Sequence, residues 1–246
     1  MSSLQGKVAL VTGGSRGIGA AIAQRLAADG ADVAITYTSA QAKADEVVRA
    51  IEAGGRRAIA FQADSGDVQA VRHAVAETVR ALGRLDVLVN NAGIVVFAPV
   101  EGISIEDFDR IVAVNVRAVF VAAQEAAKHM GAGGRIITIG SVNADRVPVA
   151  GLSVYAMTKA AVAGLTRGLA RDLGARGITV NNVQPGPVDT DMNPADGPFA
   201  DAMRGLIAVG RYGKAEEIAA MVAYLASPEA SYVTGVSLTI DGGFDA

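Results

Sequence analysis

Cysteine and tryptophan are both missing from the 246 residues, and aromatic side chains make up only 4%. Without cysteine the chain can build neither disulfides nor thiolate chemistry, and the expectation is a cytoplasmic protein. With so few rings, the core must be aliphatic and alanine-rich, which suits close packing of helices on a sheet. No apolar run approaches the 18 or so residues of a membrane helix, and residues 1–30 lack the layout of a signal peptide. A net charge of −3 leaves no footprint for nucleic acid. Neither a membrane nor a nucleic acid is expected as a partner.

What the chain has is apolar content, 51% of it, arranged with two alternating periods. Strand-like runs recur at Lys7–Thr12, Asp32–Tyr37, Ala58–Gln62, Leu85–Asn90, Arg135–Gly140, Thr179–Val183 and Ser237–Ile240. Helical periodicity separates them, as in Gln41–Ala53, Val68–Leu82, Ser104–Met130, Val154–Leu173 and Ala215–Ala226. Strand alternating with helix predicts βαβ units around a parallel, doubly wound α/β sheet with its ligand at the carboxyl ends of the strands. No linker or repeat interrupts the pattern, so 1–246 reads as a single domain. The exception is 185–205, where Pro185, Pro187, Pro194 and Pro198 accompany several glycines. Breakers at that density after a strand predict either a substrate lid or a plain surface excursion.

Two local patterns carry chemistry. Tyr155 and Lys159 are four residues apart in a helical stretch, which sets their Cβ atoms about 5–6 Å apart on one face. An ammonium beside a phenol favours the phenolate, making such a tyrosine a candidate general acid/base. A half-buried tyrosine beside a snorkelling lysine would look the same. Near the N-terminus, the Lys7–Thr12 run leads into Gly13-Gly14-Ser15-Arg16-Gly17-Ile18-Gly19 and then a helix over Ala20–Ala28. In strand–turn–helix context, glycines let the backbone approach a pyrophosphate at the helix N-terminus. An ordinary glycine-rich turn is the alternative.

Thr12-Gly-x-x-x-Gly17-x-Gly19, Asn90-Asn91-Ala92-Gly93, Asn115, Ser141 and Tyr155-x-x-x-Lys159 stand in the order found in short-chain dehydrogenases/reductases, and the chain resembles that family from Lys7 to Gly243. Its ending, Tyr232-Val-Thr-Gly-Val-Ser-Leu-Thr-Ile-Asp-Gly-Gly243, resembles the 3-oxoacyl-(acyl-carrier-protein) reductase branch. The segments starting at Gly140 and Gln184 also resemble cyclic-di-GMP-binding members. The resemblance implies a Rossmann domain with helices on both faces and a seven-stranded parallel sheet in the order 3-2-1-4-5-6-7. It implies a catalytic set of Asn115, Ser141, Tyr155 and Lys159, no metal, and a homotetramer. In that set Tyr155 moves the proton, Lys159 also binds the nicotinamide ribose, and Ser141 holds the substrate oxygen. Asn115 would anchor a proton-relaying water. From the residues alone, Ser141 reads equally as a capping serine and Asn115 as an amide satisfying helix backbone. Ser141 and Tyr155 are fourteen residues apart, slightly longer than in the nearest reductases, with Asp145, Arg146 and Pro148 in the interval. That bears on substrate identity more than on catalysis.

For the cofactor, Gly13, Ser15, Arg16, Gly17, Ile18 and Gly19 form the phosphate loop. Tyr37, Thr38 and Ser39 stand where an NAD-preferring chain carries an acid about 20 residues after its glycines, and no acid occurs here before Asp45. Arg16 is a charge-assisted donor for a 2′-phosphate, or else a solvated loop charge. NADP(H) is expected over NAD(H). By resemblance, Asp64 and Ser65 meet the adenine, Asn91, Ala92 and Gly93 the ribose, and Pro185, Gly186, Val188 and Thr190 the carboxamide end. The expected activity is NADPH-dependent reduction of a ketone, 3-oxoacyl or other, to a secondary alcohol. The alternative is a cyclic-di-GMP-binding signalling protein on the same fold.

Overall fold

The computed structural model describes residues 4–246; residues 1–3, the start of the expected 1–246 domain, lie outside the described residues. Seven strands form one sheet in the order β3-β2-β1-β4-β5-β6-β7, every pairing parallel. They are β1 (Val8–Val11), β2 (Asp32–Tyr37), β3 (Ala58–Gln62), β4 (Val87–Asn90), β5 (Arg135–Ile139), β6 (Thr179–Pro185) and β7 (Ser237–Ile240). The expected strand order is therefore the observed one.

Successive strand residues point to opposite faces, and the two faces carry separate cores. Ala9 and Val11 of β1 and Val87 and Val89 of β4 pack with α1 (Gly17–Ala28), α2 (Gln41–Ala53) and α8 (Ala215–Ala226). Val8, Leu10 and Leu88 pack with α3 (Val68–Leu82), α5 (Ala118–His129) and α6 (Ser153–Gly174) on the other side. The buried central strands are continuous aliphatic runs, as a sheet covered on both faces requires. Asp86 ties the entrance of the two central strands together. It accepts from the Val8 N–H at 3.0 Å, Lys7 Nζ at 3.1 Å and Arg84 Nε at 2.7 Å. Burial favours its neutral form, yet the Arg84 guanidinium, the Val8 N–H and Lys7 together keep its carboxyl below the ordinary range.

Two expectations change. The helix expected across Ser104–Met130 is α4 (Ile105–Val112), a π-helical turn (Ala113–Arg117) and α5. In the π turn the Ala118 N–H donates to the Ala113 carbonyl, five residues back. The buried Asn115 amide, drawn to the backbone of Ile94, accompanies this widening. β6 also runs past Val183 to Pro185, which pairs with Ile240. The 185–205 stretch is less irregular than its composition suggests. Asp189 N–H donates to the Gly213 carbonyl and Gly213 N–H to the Pro187 carbonyl, and α7 (Ala200–Arg204) lies inside it. Among the described residues, no helix is long and apolar enough to cross a membrane.

Candidate active site

The strand order reverses between β1 and β4, so the loops leaving their carboxyl ends diverge and open a cleft. The loop after β1 is the glycine turn. Gly13 and Gly17 adopt φ of +64° and +52°, where a side chain would be strained. A Cβ on Gly19 would stand 2.3 Å from the Gly13 carbonyl oxygen and 2.5 Å from Asn91 Nδ2, so only glycine permits α1 to start there. The loop is held from beneath. Gly13 N–H donates to Thr36 Oγ1 at 3.1 Å, and Asn91 Nδ2 donates to the carbonyls of Thr12 and Gly13 at 2.9 and 3.1 Å. Thr12 Oγ1 accepts from the N–H groups of Asn91 and Ala92. The Asn91 side chain thus braces the glycine loop.

Across the cleft, α6 carries Tyr155, Thr158 and Lys159. Lys159, only 6% exposed, donates through Nζ to the Ile139 carbonyl at 2.9 Å, and the same Nζ lies 5.5 Å from the Tyr155 ring centroid. A Cβ on Gly93 would sit 3.5 Å from Asn115 Oδ1 and 3.7 Å from Lys159 Nζ, so the floor of the site is open for want of a side chain. Asn115 is fully engaged. Its Oδ1 accepts from Ile94 N–H, and its Nδ2 donates to the Ile94 carbonyl and to Thr158 Oγ1, at 2.9, 2.9 and 3.1 Å. Thr158 Oγ1 donates in turn to the Tyr155 carbonyl at 2.7 Å. Asn115, Tyr155 and Lys159 are therefore brought together. Thr158, which links them, carries no motif signal.

Ser141 stands at the end of β5, buried, with its hydroxyl turned into its own loop. It accepts from Asn143 N–H at 3.1 Å and donates to Asn143 Oδ1 at 3.2 Å. The capping reading describes it as it stands. The loop that follows is tied down: Gln184 Nε2 donates to the Ser141 carbonyl and to Asp145 Oδ2, while the Arg146 guanidinium donates to the Phe244 carbonyl and lies over the Phe244 ring.

At the far end of the cleft β2 ends in half-buried Tyr37, followed by exposed Thr38 and Ser39. Asp64 Oδ1 accepts from Arg110 and from Gly66 N–H, both at 2.8 Å, and the Arg110 bond first, then the Gly66 N–H, hold its carboxyl below the ordinary range. Arg16 is exposed, its Nη1 3.5 Å from Asp191 Oδ2, and Lys43 Nζ reaches the same oxygen at 3.0 Å. Lys43 above all keeps the Asp191 carboxyl below its ordinary range. Thr190 closes on the glycine loop, 3.4 Å from where a Gly17 Cβ would lie. The pairing of Asp191 with residues 148 and 175 positions away has no local signature. A glycine cradle, no acid after β2 and two cations beside it fit a dinucleotide bearing an extra phosphate. Among the described residues, no group of three or more His, Asp or Glu side chains is arranged to hold a metal ion.

A parallel doubly wound sheet with this loop and this tyrosine–lysine pair defines a dinucleotide-dependent oxidoreductase class. The family model described as enoyl-(acyl carrier protein) reductase matches residues 13–245. A short-chain dehydrogenase from Burkholderia cenocepacia J2315, solved in complex with NADP, superposes with a TM-score of 0.98 at 61% identity, covering 99% of this chain and 100% of that one. The cyclic-di-GMP-binding biofilm dispersal mediator protein of Escherichia coli K12 is 51% identical over 100% of both chains. BdcA, solved in complex with NADPH, has a TM-score of 0.91 at 50% identity over 98% of this chain and 96% of that one. The chain belongs to the short-chain dehydrogenase/reductase family.

Proposed function

We propose that the protein uses NADPH to reduce a ketone, of 3-oxoacyl type or another carbonyl, to a secondary alcohol. The whole chain acts as one catalytic domain, with 185–205 as a substrate lid. The observation that carries this reading is Lys159 Nζ, fixed to the Ile139 carbonyl and 5.5 Å from the Tyr155 ring centroid, on the cleft that the glycine loop borders. Bound nicotinamide supplies the hydride, leaving one proton and the orientation of the reactants to the protein. Tyr155 gives its phenolic proton to the substrate oxygen as charge builds there, and recovers it in the reverse direction. The Lys159 ammonium balances the negative charge left on Tyr155, and its remaining N–H groups would hold the nicotinamide ribose. The Ser141 hydroxyl exchanges Asn143 for the substrate oxygen. Asn115, through Thr158, holds the turn that carries Tyr155.

For the cofactor, the backbone of Gly13–Gly19 would hold the pyrophosphate, with Ser15 and Ile18 at the helix entrance. Arg16 would hold the 2′-phosphate, with Tyr37, Thr38 and Ser39 beside it. Asp64 and Ser65 would meet the adenine, Asn91, Ala92 and Gly93 the ribose, and Pro185, Gly186, Val188 and Thr190 the carboxamide. The NADP and NADPH complexes of the relatives support this preference. The working form in this reading is a cytoplasmic homotetramer. A second reading, cyclic-di-GMP binding at the same cleft, rests on the Escherichia coli relative.

The test is NADPH oxidation by purified protein over β-ketoesters, cyclic ketones, sugars, 3-oxoacyl thioesters and 2-enoyl thioesters, with calorimetric titration of cyclic-di-GMP alongside. The expected result is turnover on a ketone that Tyr155→Phe lowers by about 10²-fold or more, with NADPH affinity retained. Turnover confined to the enoyl thioesters, a Tyr155→Phe variant keeping more than about a tenth of kcat, or tight cyclic-di-GMP binding without turnover would overturn it.

A further inference from the structure

Asp191 Oδ2 accepts from two cations that belong to different elements. One is Arg16 of the glycine loop at 3.5 Å, and the other is Lys43 of the first turn of α2 at 3.0 Å. Laid end to end, those distances put the two cationic nitrogens at most 6.5 Å apart. A single phosphate, with three acceptor oxygens, bridges such a gap. Both cations flank the turn where β2 ends in Tyr37, Thr38 and Ser39, a turn that carries no acid of its own. That turn is bound to the glycine loop, since Gly14 N–H donates to the Thr36 carbonyl at 2.9 Å and Gly13 N–H to Thr36 Oγ1. The carboxylate comes from the stretch after β6, whose Thr190 already lies against Gly17.

We infer that Lys43 is a second specificity-determining residue for the cofactor's 2′-phosphate, and that Asp191 is an internal anion which the phosphate displaces from Arg16 and Lys43. The inference rests on the NADPH reading above and extends it to two residues outside the family motif. A phosphomonoester carries about −1.5 to −2 charge at neutral pH against −1 for a carboxylate, so it takes the shared cations in preference. A dinucleotide without that phosphate leaves Asp191 where it is. The pair therefore discriminates twice: the cations attract the phosphorylated ligand, and the carboxylate holds them in position without rewarding the unphosphorylated one. Displacement also frees the 191–199 part of the lid from the glycine loop and α2.

The test is calorimetric titration, at one fixed ionic strength, with 2′,5′-ADP and 5′-ADP as probes, so that no turnover is needed. Wild type is expected to bind 2′,5′-ADP more tightly; equal binding would defeat the NADPH reading itself, and the present inference with it. Given that preference, Lys43→Met is expected to weaken 2′,5′-ADP by at least about threefold and Asp191→Asn to tighten it by a similar factor, with 5′-ADP unmoved in both. In the double variant the gain from Asp191→Asn should shrink, because one of its two cations is gone. A Lys43→Met affinity for 2′,5′-ADP within twofold of wild type would remove Lys43 from the site while leaving the NADPH reading intact. An Asp191→Asn variant that bound 2′,5′-ADP no better than wild type, or shifted both probes alike, would make Asp191 a strut of the lid and overturn its role as competitor.

Discussion

Asn115 Nδ2 donates to Thr158 Oγ1 at 3.1 Å, and that hydroxyl donates its own hydrogen bond to the Tyr155 carbonyl at 2.7 Å. The π turn and the helix of the tyrosine are thus joined by one buried threonine. Thr158→Val keeps the shape and removes the link, leaving a buried amide N–H without its acceptor, which costs about 1–3 kcal/mol. The expected outcome is kcat lower by about tenfold with NADPH affinity within about twofold, and recovery in Thr158→Ser. Steady-state kinetics with cofactor titration check it; equal loss in the serine variant would refute the hydrogen-bond explanation.

Cofactor preference should yield to charge at the end of β2. Thr38→Asp brings a carboxylate to the position where NAD-preferring chains carry one, repelling a 2′-phosphate and offering a ribose acceptor. NADPH KM is expected to rise by about tenfold or more while NADH KM falls. A wild-type enzyme that already favours NADH would contradict the assignment.

Acid stability should depend on Asp86. Its folded carboxyl titrates below its unfolded value despite burial, because Arg84, the Val8 N–H and Lys7 hold the charged form. Its contribution is therefore complete above the unfolded carboxylate range and is lost as pH falls through the lower folded value. Asp86→Asn is expected to lower Tm at pH 7 and to flatten the decline of Tm between neutral and acidic pH. Differential scanning calorimetry across pH decides it, and parallel curves for the two proteins would count against it.

The proposed tetramer can be tested at Phe120, which lies on α5 and is 43% exposed, and Ile105, on α4 and 70% exposed. Exposed apolar side chains on neighbouring helices suit a self-complementary two-fold interface. Light scattering is expected to give a tetramer for the wild type and a smaller species for Phe120→Asp. A wild-type monomer at micromolar concentration would exclude it.

The strands and the glycine loop were legible because their causes are local or periodic, whereas the order of the strands came only from the family resemblance. Aliphatic runs mark buried strands, and the Gly13–Gly19 spacing answers a backbone requirement visible in the positive φ of Gly13 and Gly17. Tyr155 and Lys159 were legible because helical spacing alone puts them on one face. The π turn at Ala113–Arg117 was not, since its apolar pattern continues that of the helices beside it and its partner, Ile94, is 21 residues away. Ser141 was found by type and order, but its bond to Asn143 depends on a rotamer that spacing does not specify. Asp191 was missed for the same reason at longer range. An exposed acid in a proline-rich stretch has no pattern that names Arg16 and Lys43 as its partners.

The π turn has a consequence for redesign of the helical face. Each residue advances an α-helix by about 100°, so the turn at Ala113–Arg117 acts as a phase shift between α4 and α5. A substitution library that treats 105–129 as one regular helix would assign core and solvent positions in α5 about one residue out of register. Deleting one residue from the turn would restore a regular helix with buried Val121, Ala122 and Ala123 still facing the sheet, so the cost would fall on Asn115 and its support of the tyrosine helix.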